Sequence, residues 1–284
     1  MRFVAFRDGD RNGLAASADG VRWNALMEGD PAYPGDLDDV LRAGATGEAG
    51  KAVLAGGSVD LDRVTVLPPF SKASKILCVG LNYVDHAAEG GMKVPDYPTV
   101  FARFNSSLIG HGAPLVCPRL SEQFDYEGEM VAVIGKGGRA IPEADALSHV
   151  AGYSVFNDAS VRDYQLRTPQ WTIGKNFDGT GAFGPAFVTA DELPAGAAGL
   201  RLQTRLNGRV LQDASTSDLV FSVARLVSLI SAAMTLEPGD IIVTGTPAGV
   251  GLGHKPPLFM KEGDVCEVEI EGIGLLRNPV VKEK

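Results

Sequence analysis

The chain has 284 residues, of which 45% are hydrophobic and 21% charged, with 35 glycines and 17 prolines, a globular composition too apolar for disorder. The formal net charge of −9, with no cluster of Lys or Arg, argues against nucleic acid as a partner, and any small anionic substrate would need cations inside its site to overcome that field: a metal, a Lys or an Arg. The longest apolar stretch, VFSVARLVSLISAAMTL, is interrupted by Arg225, and MRFVAFRDGDRNG lacks the apolar run of a signal peptide, so no membrane partner and a cytoplasmic location are expected.

In chain order, MRFVAF predicts a strand, DGDRNG a turn, VRWNALME a strand-like run, and Leu37 to Ala43 a short helix ending at Gly44. The Gly/Ala-rich stretch GATGEAGKAVLAGGS leads into a strand VTVL and the break at Pro68 and Pro69. A boundary is expected there, between a small N-terminal α/β domain, 1–70, and a larger domain, 71–284. Beyond it, short strands between Gly, Pro and Asp turns outnumber convincing helices, so the expected fold class is mostly β with α, an α+β protein.

KILCVGLNYVDHAAEGG reads as an apolar strand followed by a short helix, with Asn82 as N-cap, Asp85 in the first turn, and Gly90 and Gly91 at its end, where they would let the segment move as a lid. His86 and Glu89 are three apart and share one helical face, where the carboxylate can orient the imidazole as a general base; a surface pair is the alternative. In FDYEGEMVAVIG the two-residue period of a strand sets Glu127 and Glu129 side by side, with Gly128 leaving the opposite face open. Met130 to Ile134 are apolar on both faces, so the strand reads as buried, and two ionised carboxylates there require a divalent cation unless the pair is solvated. AGYSVFND predicts a strand with Ser154, Phe156 and Asp158 on one face, then a helix capped by Ser160; Asp158 could complete an all-oxygen site of the kind that suits magnesium or manganese.

Lys175, in a Gly-rich loop, supplies positive charge for an anion if the metal site is real, and is otherwise an exposed lysine. GTGAFG, Gly179 to Gly184, has dinucleotide-fingerprint spacing, but Pro185 and AFV follow where a helix must begin, and GTPAGVGLG lacks the Gly-Lys-Ser/Thr of a P-loop. A helix is expected from Ser217, as N-cap, to about Leu236, its apolar stripe being core packing. VCEVEIE alternates strictly, with Cys266, Val268 and Ile270 inward and Glu267, Glu269 and Glu271 toward water. Cys78, Cys117 and Cys266 form no C-x-x-C and read as buried reduced thiols.

VGLNYVDHAAE, FDYEGEMVAVIGK, GYSVFNDASVRDYQ, GKNFDGTGAFGP, LNGRVLQDASTSDLVF and GDIIVTGTPAGVG, in this order from about Lys75 to Pro279, resemble the fumarylacetoacetate hydrolase family. The resemblance implies a mixed β-sandwich roll, a homodimer or higher homo-oligomer, and a bound Mg2+ or Mn2+. By matching motifs it implies Glu127, Glu129 and Asp158 as metal carboxylates and His86 with Glu89 as the dyad that activates water. Gln165 and Lys175 would be polar groups near the substrate, and Thr246 its carboxylate anchor. The implied reaction is cleavage of a carbon–carbon bond of a 2,4-dioxo acid to pyruvate and a second acid, the substrate being a small anionic 2-oxo acid. Arg103, with Asn105 and Ser106, would form a polar wall for the hydroxyls of a deoxy sugar acid of the rhamnonate or fuconate type. Oxaloacetate decarboxylation or hydroxymuconate isomerisation would use the same enolate stabilisation, and an inactive metal-stabilised binding module is the reading from another class.

Overall fold

The computed structural model describes residues 1–89 and 95–284. Among the described residues, twelve strands form one mixed sheet and five a second, with a two-stranded ribbon beside them, so the mostly β architecture with short helices is as expected. Ten strands of the large sheet run in the spatial order Gly57–Ser58, Asn24–Met27, Arg11–Ser17, Arg2–Asp8, Gly181–Thr189, Val150–Asp158, Gly128–Ile134, Ile241–Val243, Ile76–Gly80, Thr99–Arg103, and Thr65–Val66 and Leu108–Ile109 pair with Arg2–Asp8 and Gly181–Thr189 off this path. Its centre, Gly128–Ile134, is buried at every position, as a strand apolar on both faces must be. The N-terminal strands join this sheet where Arg2 and Phe3 pair with Val188 and Phe187. The second sheet orders Arg209–Ser215, Arg201–Leu206, Val265–Ile270, Gly274–Lys282 and Leu115–Cys117.

The two sheets meet closely at Gly128. A Cβ there would stand 2.1 Å from Thr204 Oγ1, so the face opposite the glutamates is filled by the second sheet and not open. On that second sheet Cys266, Val268 and Ile270 point inward as expected. Glu267 does not simply face water: it lies opposite Arg205 and Arg277 in the sheet and pairs with both, at 3.1 and 3.3 Å.

Six helices lie among the described residues: α1 Leu37–Arg42, α2 Thr46–Leu54, α3 Val84–Glu89, α4 Arg162–Gln165, α5 Thr172–Lys175 and α6 Val223–Ala233. Three caps differ from expectation. Asn82 does not cap α3: its side-chain oxygen accepts from Phe221 N at 2.7 Å and its amide donates to Phe221 O and Thr244 O. That clamp holds the chain extended through Phe221, so α6 begins five residues later than expected, capped by Ser222, and the turn at Thr216–Asp218 is a separate 3-10 segment. Ser160 lies in the ribbon, its hydroxyl donating to Asp158 O, and α4 starts at Arg162 without a side-chain cap. Gly90 and Gly91 lie outside the described residues. The GTGAFG run enters the strand Gly181–Thr189, which disposes of the dinucleotide fingerprint.

Candidate active site

Strand register assembles the acidic centre. Gly128–Ile134 pairs antiparallel with Val150–Asp158 so that Glu129 faces Phe156 across the ladder. The pairing continues one step, with Asp158 N donating to Glu127 O at 2.9 Å. Period-two alternation then places Glu127, Glu129 and Asp158 on one face of neighbouring strands. All three are buried, and an oxygen from each lies within 4.8 Å of the others. Like charges facing one another across a ladder repel, and out of water the repulsion is poorly screened, so compensating charge must be supplied.

Three cations supply most of it. Lys175 Nζ, at the end of α5, donates to Glu127 Oε2 at 2.7 Å and Asp158 Oδ2 at 2.6 Å. It is a buried helical residue and not an exposed loop lysine. Arg162, the first residue of α4, reaches Glu127 Oε1 at 2.6 Å and Asp125 Oδ2 at 2.7 Å. Arg103 pairs with the other oxygen of Asp158 and donates to Thr180 Oγ1 at 2.7 Å. Four carboxylates therefore face three cations, and the unmatched one is Glu129, whose partner is the Gly245 amide donating at 2.6 Å. Burial, then the charges of Asp158 and Glu127, push Glu129 well above the ordinary carboxylate range. Burial would also raise Glu127, but Lys175 and Arg162 outweigh it and hold that group below the range.

A hard dication fits this donor set. The oxygens converge, they are anionic, they include an uncompensated buried carboxylate, and no thiolate or imidazole is among them. Glu127, Glu129 and Asp158 would hold the ion.

The cluster opens on a cavity of about 190 Å³. His86, Glu89, Gln165, Lys175 and Thr246 all line it together with Arg162, so the structure brings together the site residues expected from the sequence apart from the polar wall of Arg103, Asn105 and Ser106. His86 Nδ1 is 3.5 Å from Glu89 Oε2, a loose contact of the kind that tightens around substrate. Gln165 accepts from Arg162 Nη1 at 2.8 Å, and Thr246 donates to Gly128 O at 3.0 Å while accepting from Gln212. Arg103 is fully buried behind Asp158 and does not reach the cavity. Asn105 donates to Ala73 O instead of facing a ligand, and Ser106 is exposed away from the lining, so the expected polar wall is not formed. Buried pairing explains the misplacement: Arg103 ends the strand Thr99–Arg103, and its guanidinium turns over Gly181, whose missing Cβ leaves it room, toward Asp158 and Thr180.

The wall is instead apolar and aromatic. Phe101 lies 5.0 Å from Lys175 Nζ on its ring face, and Trp171 meets Phe101 edge-on at 5.5 Å. Arg162, Asp125 and Trp171 escaped sequence reasoning. Asp125 continues the alternation of Glu127 and Glu129, and was legible as the third acid of that face; the other two carried no local signal. Arg162 Nη2 is buried, lacks a hydrogen-bond partner and belongs to a residue of the cavity wall, which makes it a donor for an anion.

Residues 75–281 match the family model described as fumarylacetoacetate (FAA) hydrolase C-terminal. The chain belongs to the fumarylacetoacetate hydrolase family. Over 292 residues it is 41% identical to the mitochondrial oxaloacetate tautomerase FAHD2A of Homo sapiens, covering 99% of this chain and 92% of that one. The fumarylacetoacetate hydrolase of Exiguobacterium antarcticum superposes with a TM-score of 0.83 at 35% identity, over 100% of both chains. The fumarylpyruvate hydrolase of Pseudomonas aeruginosa, solved with Mn2+ and pyruvate, superposes at 0.68 with 33% identity, over 77% of this chain and 92% of that one. These family members bear the names of enzymes, a tautomerase and two hydrolases. No described helix is long and apolar enough to cross a membrane.

Proposed function

We propose that the protein is a divalent-metal-dependent enzyme that forms and reprotonates the enolate of a short 2-oxo acid, with keto–enol interconversion of oxaloacetate as its reaction. The observation that carries this reading is the uncompensated, buried Glu129 beside Glu127 and Asp158, opening on a cavity whose other wall holds His86. Mg2+ or Mn2+, when bound, would stabilise enolate charge as a Lewis acid, worth several kcal/mol. Arg162 Nη2 and the Gln165 amide receive a substrate carboxylate, Lys175 adds positive charge beside the 2-oxo end, and His86, steadied by Glu89, takes and returns the proton. The choice of oxaloacetate rests on size and on the tautomerase relatives of nearly full length. A cavity of about 190 Å³ lies below the ~300–1,000 Å³ of drug-sized sites and suits a four-carbon diacid.

A second reading, hydrolysis of a short acylpyruvate, is favoured by the same His86–Glu89 pair, an arrangement that activates water. With no polar wall at Arg103, Asn105 and Ser106, a hydroxylated sugar acid loses its support. The deciding experiment supplies enol oxaloacetate and, separately, short acylpyruvates with Mg2+ or Mn2+. Loss of enol absorbance without pyruvate release supports tautomerisation; pyruvate release with oxygen-18 from water in the second acid supports hydrolysis; neither, with metal bound, refutes both. Three buried free cysteines support a reducing, cytoplasmic setting. Phe104 and Ile173, both exposed and lining one surface recess, support a homodimer or higher homo-oligomer, which sedimentation would measure.

A further inference from the structure

Helix α3 carries both members of the dyad, but the Glu89 carboxylate is fixed from outside the helix by the turn that follows Gly245. Gly249 N donates to both Glu89 oxygens, at 3.1 and 3.2 Å. Gly253 lies against the same carboxylate: a Cβ on it would stand 2.3 Å from Glu89 Cδ and 2.3 Å from Oε1. The turn is in turn anchored to the acidic strand. Asp125 accepts from Gly251 N at 2.7 Å and Leu252 N at 2.9 Å, and the Tyr126 hydroxyl donates to Gly249 O at 3.0 Å. One segment, FDYEGE, thus supplies two of the three candidate metal carboxylates and also sets the place where the dyad's carboxylate rests.

Local backbone does not explain the glycine. Gly253 closes a short 3-10 turn and is not among the glycines with positive φ, so alanine can adopt its conformation. What alanine cannot do is share space with Glu89. We propose that Gly253 is a positioning residue, whose absent side chain forms the seat that brings the Glu89 carboxylate to His86. The obstructed atoms are the far end of a flexible side chain, so a methyl group there displaces the carboxylate while the fold remains. The inference rests on the reading of His86 and Glu89 as the proton-transfer pair.

The test is Gly253→Ala in the full-length, Mg2+-loaded protein. The expected result is a fall in kcat of about 10- to 100-fold on the preferred 2-oxo acid, with KM within about threefold. Metal affinity by calorimetry stays at the wild-type value, and amide exchange at Gly249 accelerates about tenfold as its acceptor leaves. In the Glu89→Asp background, one methylene shorter, adding Gly253→Ala costs less than about threefold. Wild-type kcat, wild-type protection of Gly249, or an equal loss in both backgrounds overturns the proposal. If Gly253→Ala alone is unstable, recovery of folding in the double variant supports the seat and no recovery overturns it. Exchange at Gly249 needs no turnover, so an inactive wild-type enzyme would refute the proposed reaction and leave the seat to be judged separately.

Discussion

Glu127 and Asp158 each meet two cations, whereas Glu129 meets an amide alone. The two glutamates therefore respond to pH with opposite sign. Glu129, raised in the folded state above the ordinary value of 4.5, favours folding below that pH, and this contribution fades as pH rises through the folded value. Glu127, held below 4.5, contributes above that pH and loses its contribution as pH falls. In chelator, the Tm of the wild-type protein should fall more as pH rises above the ordinary carboxylate value than that of Glu129→Gln, which has no carboxylate at this position. An equal pH slope in the two proteins, followed by thermal melts, would contradict this. Calorimetry should show Glu129→Gln binding Mg2+ or Mn2+ at least about tenfold more weakly than wild type, because a charged ligand is gone. Arg103→Met removes a fully buried partner of Asp158 and should destabilise the protein by about 3–5 kcal/mol in urea unfolding, since it leaves buried charge exposed to its neighbours. A change under about 1 kcal/mol would contradict this.

At the scale of elements, the central strand joins two jobs: one face presents carboxylates and the other lies against the second sheet. Gly128→Ala would drive a Cβ to 2.1 Å from Thr204 Oγ1, and overpacking of this kind costs about 1–3 kcal/mol. Denaturant unfolding should register that loss, and metal affinity should fall with it because the neighbouring glutamates move; unchanged affinity would show the two faces to be independent. Elements with a clear period were legible in the sequence: the alternation around Glu127 and Glu129, the strand ending at Asp158, the inward face of Cys266, Val268 and Ile270. Elements set by tertiary contact were not. Helix α2 hides in a Gly/Ala-rich run because its buried face uses Gly50, whose Cβ would crowd Met1 and Phe3 at 3.2 Å, so smallness here signals packing. The late start of α6 depends on Asn82, 139 residues away from the Phe221 it clamps. Arg103 looked like a ligand-facing residue because its neighbourhood, FARFNSS, is polar; the partners that hold it away from the cavity, Asp158 and Thr180, lie 55 and 77 residues along the chain.

Across the whole molecule, a net charge of −9 surrounds a centre built to hold extra positive charge. Without a dication the three cations do no more than balance the acidic cluster; with one bound, the balance turns positive and the proposed 2-oxo acid would be drawn in against the outer field. This dependence of anion binding on metal is a property of no single residue, and it separates an enzyme of this family from an inert module that uses a metal only for stability. The most direct measurement is proton NMR of pyruvate, the smallest 2-oxo acid, incubated with the protein in D2O. The account predicts that its methyl protons exchange at a rate proportional to enzyme with Mg2+ present, and that chelator or Glu129→Gln returns exchange to the background rate. Exchange that is equally fast in chelator, or absent from the Mg2+-loaded wild-type protein, would contradict the claim that the three acids serve metal-supported enolate chemistry.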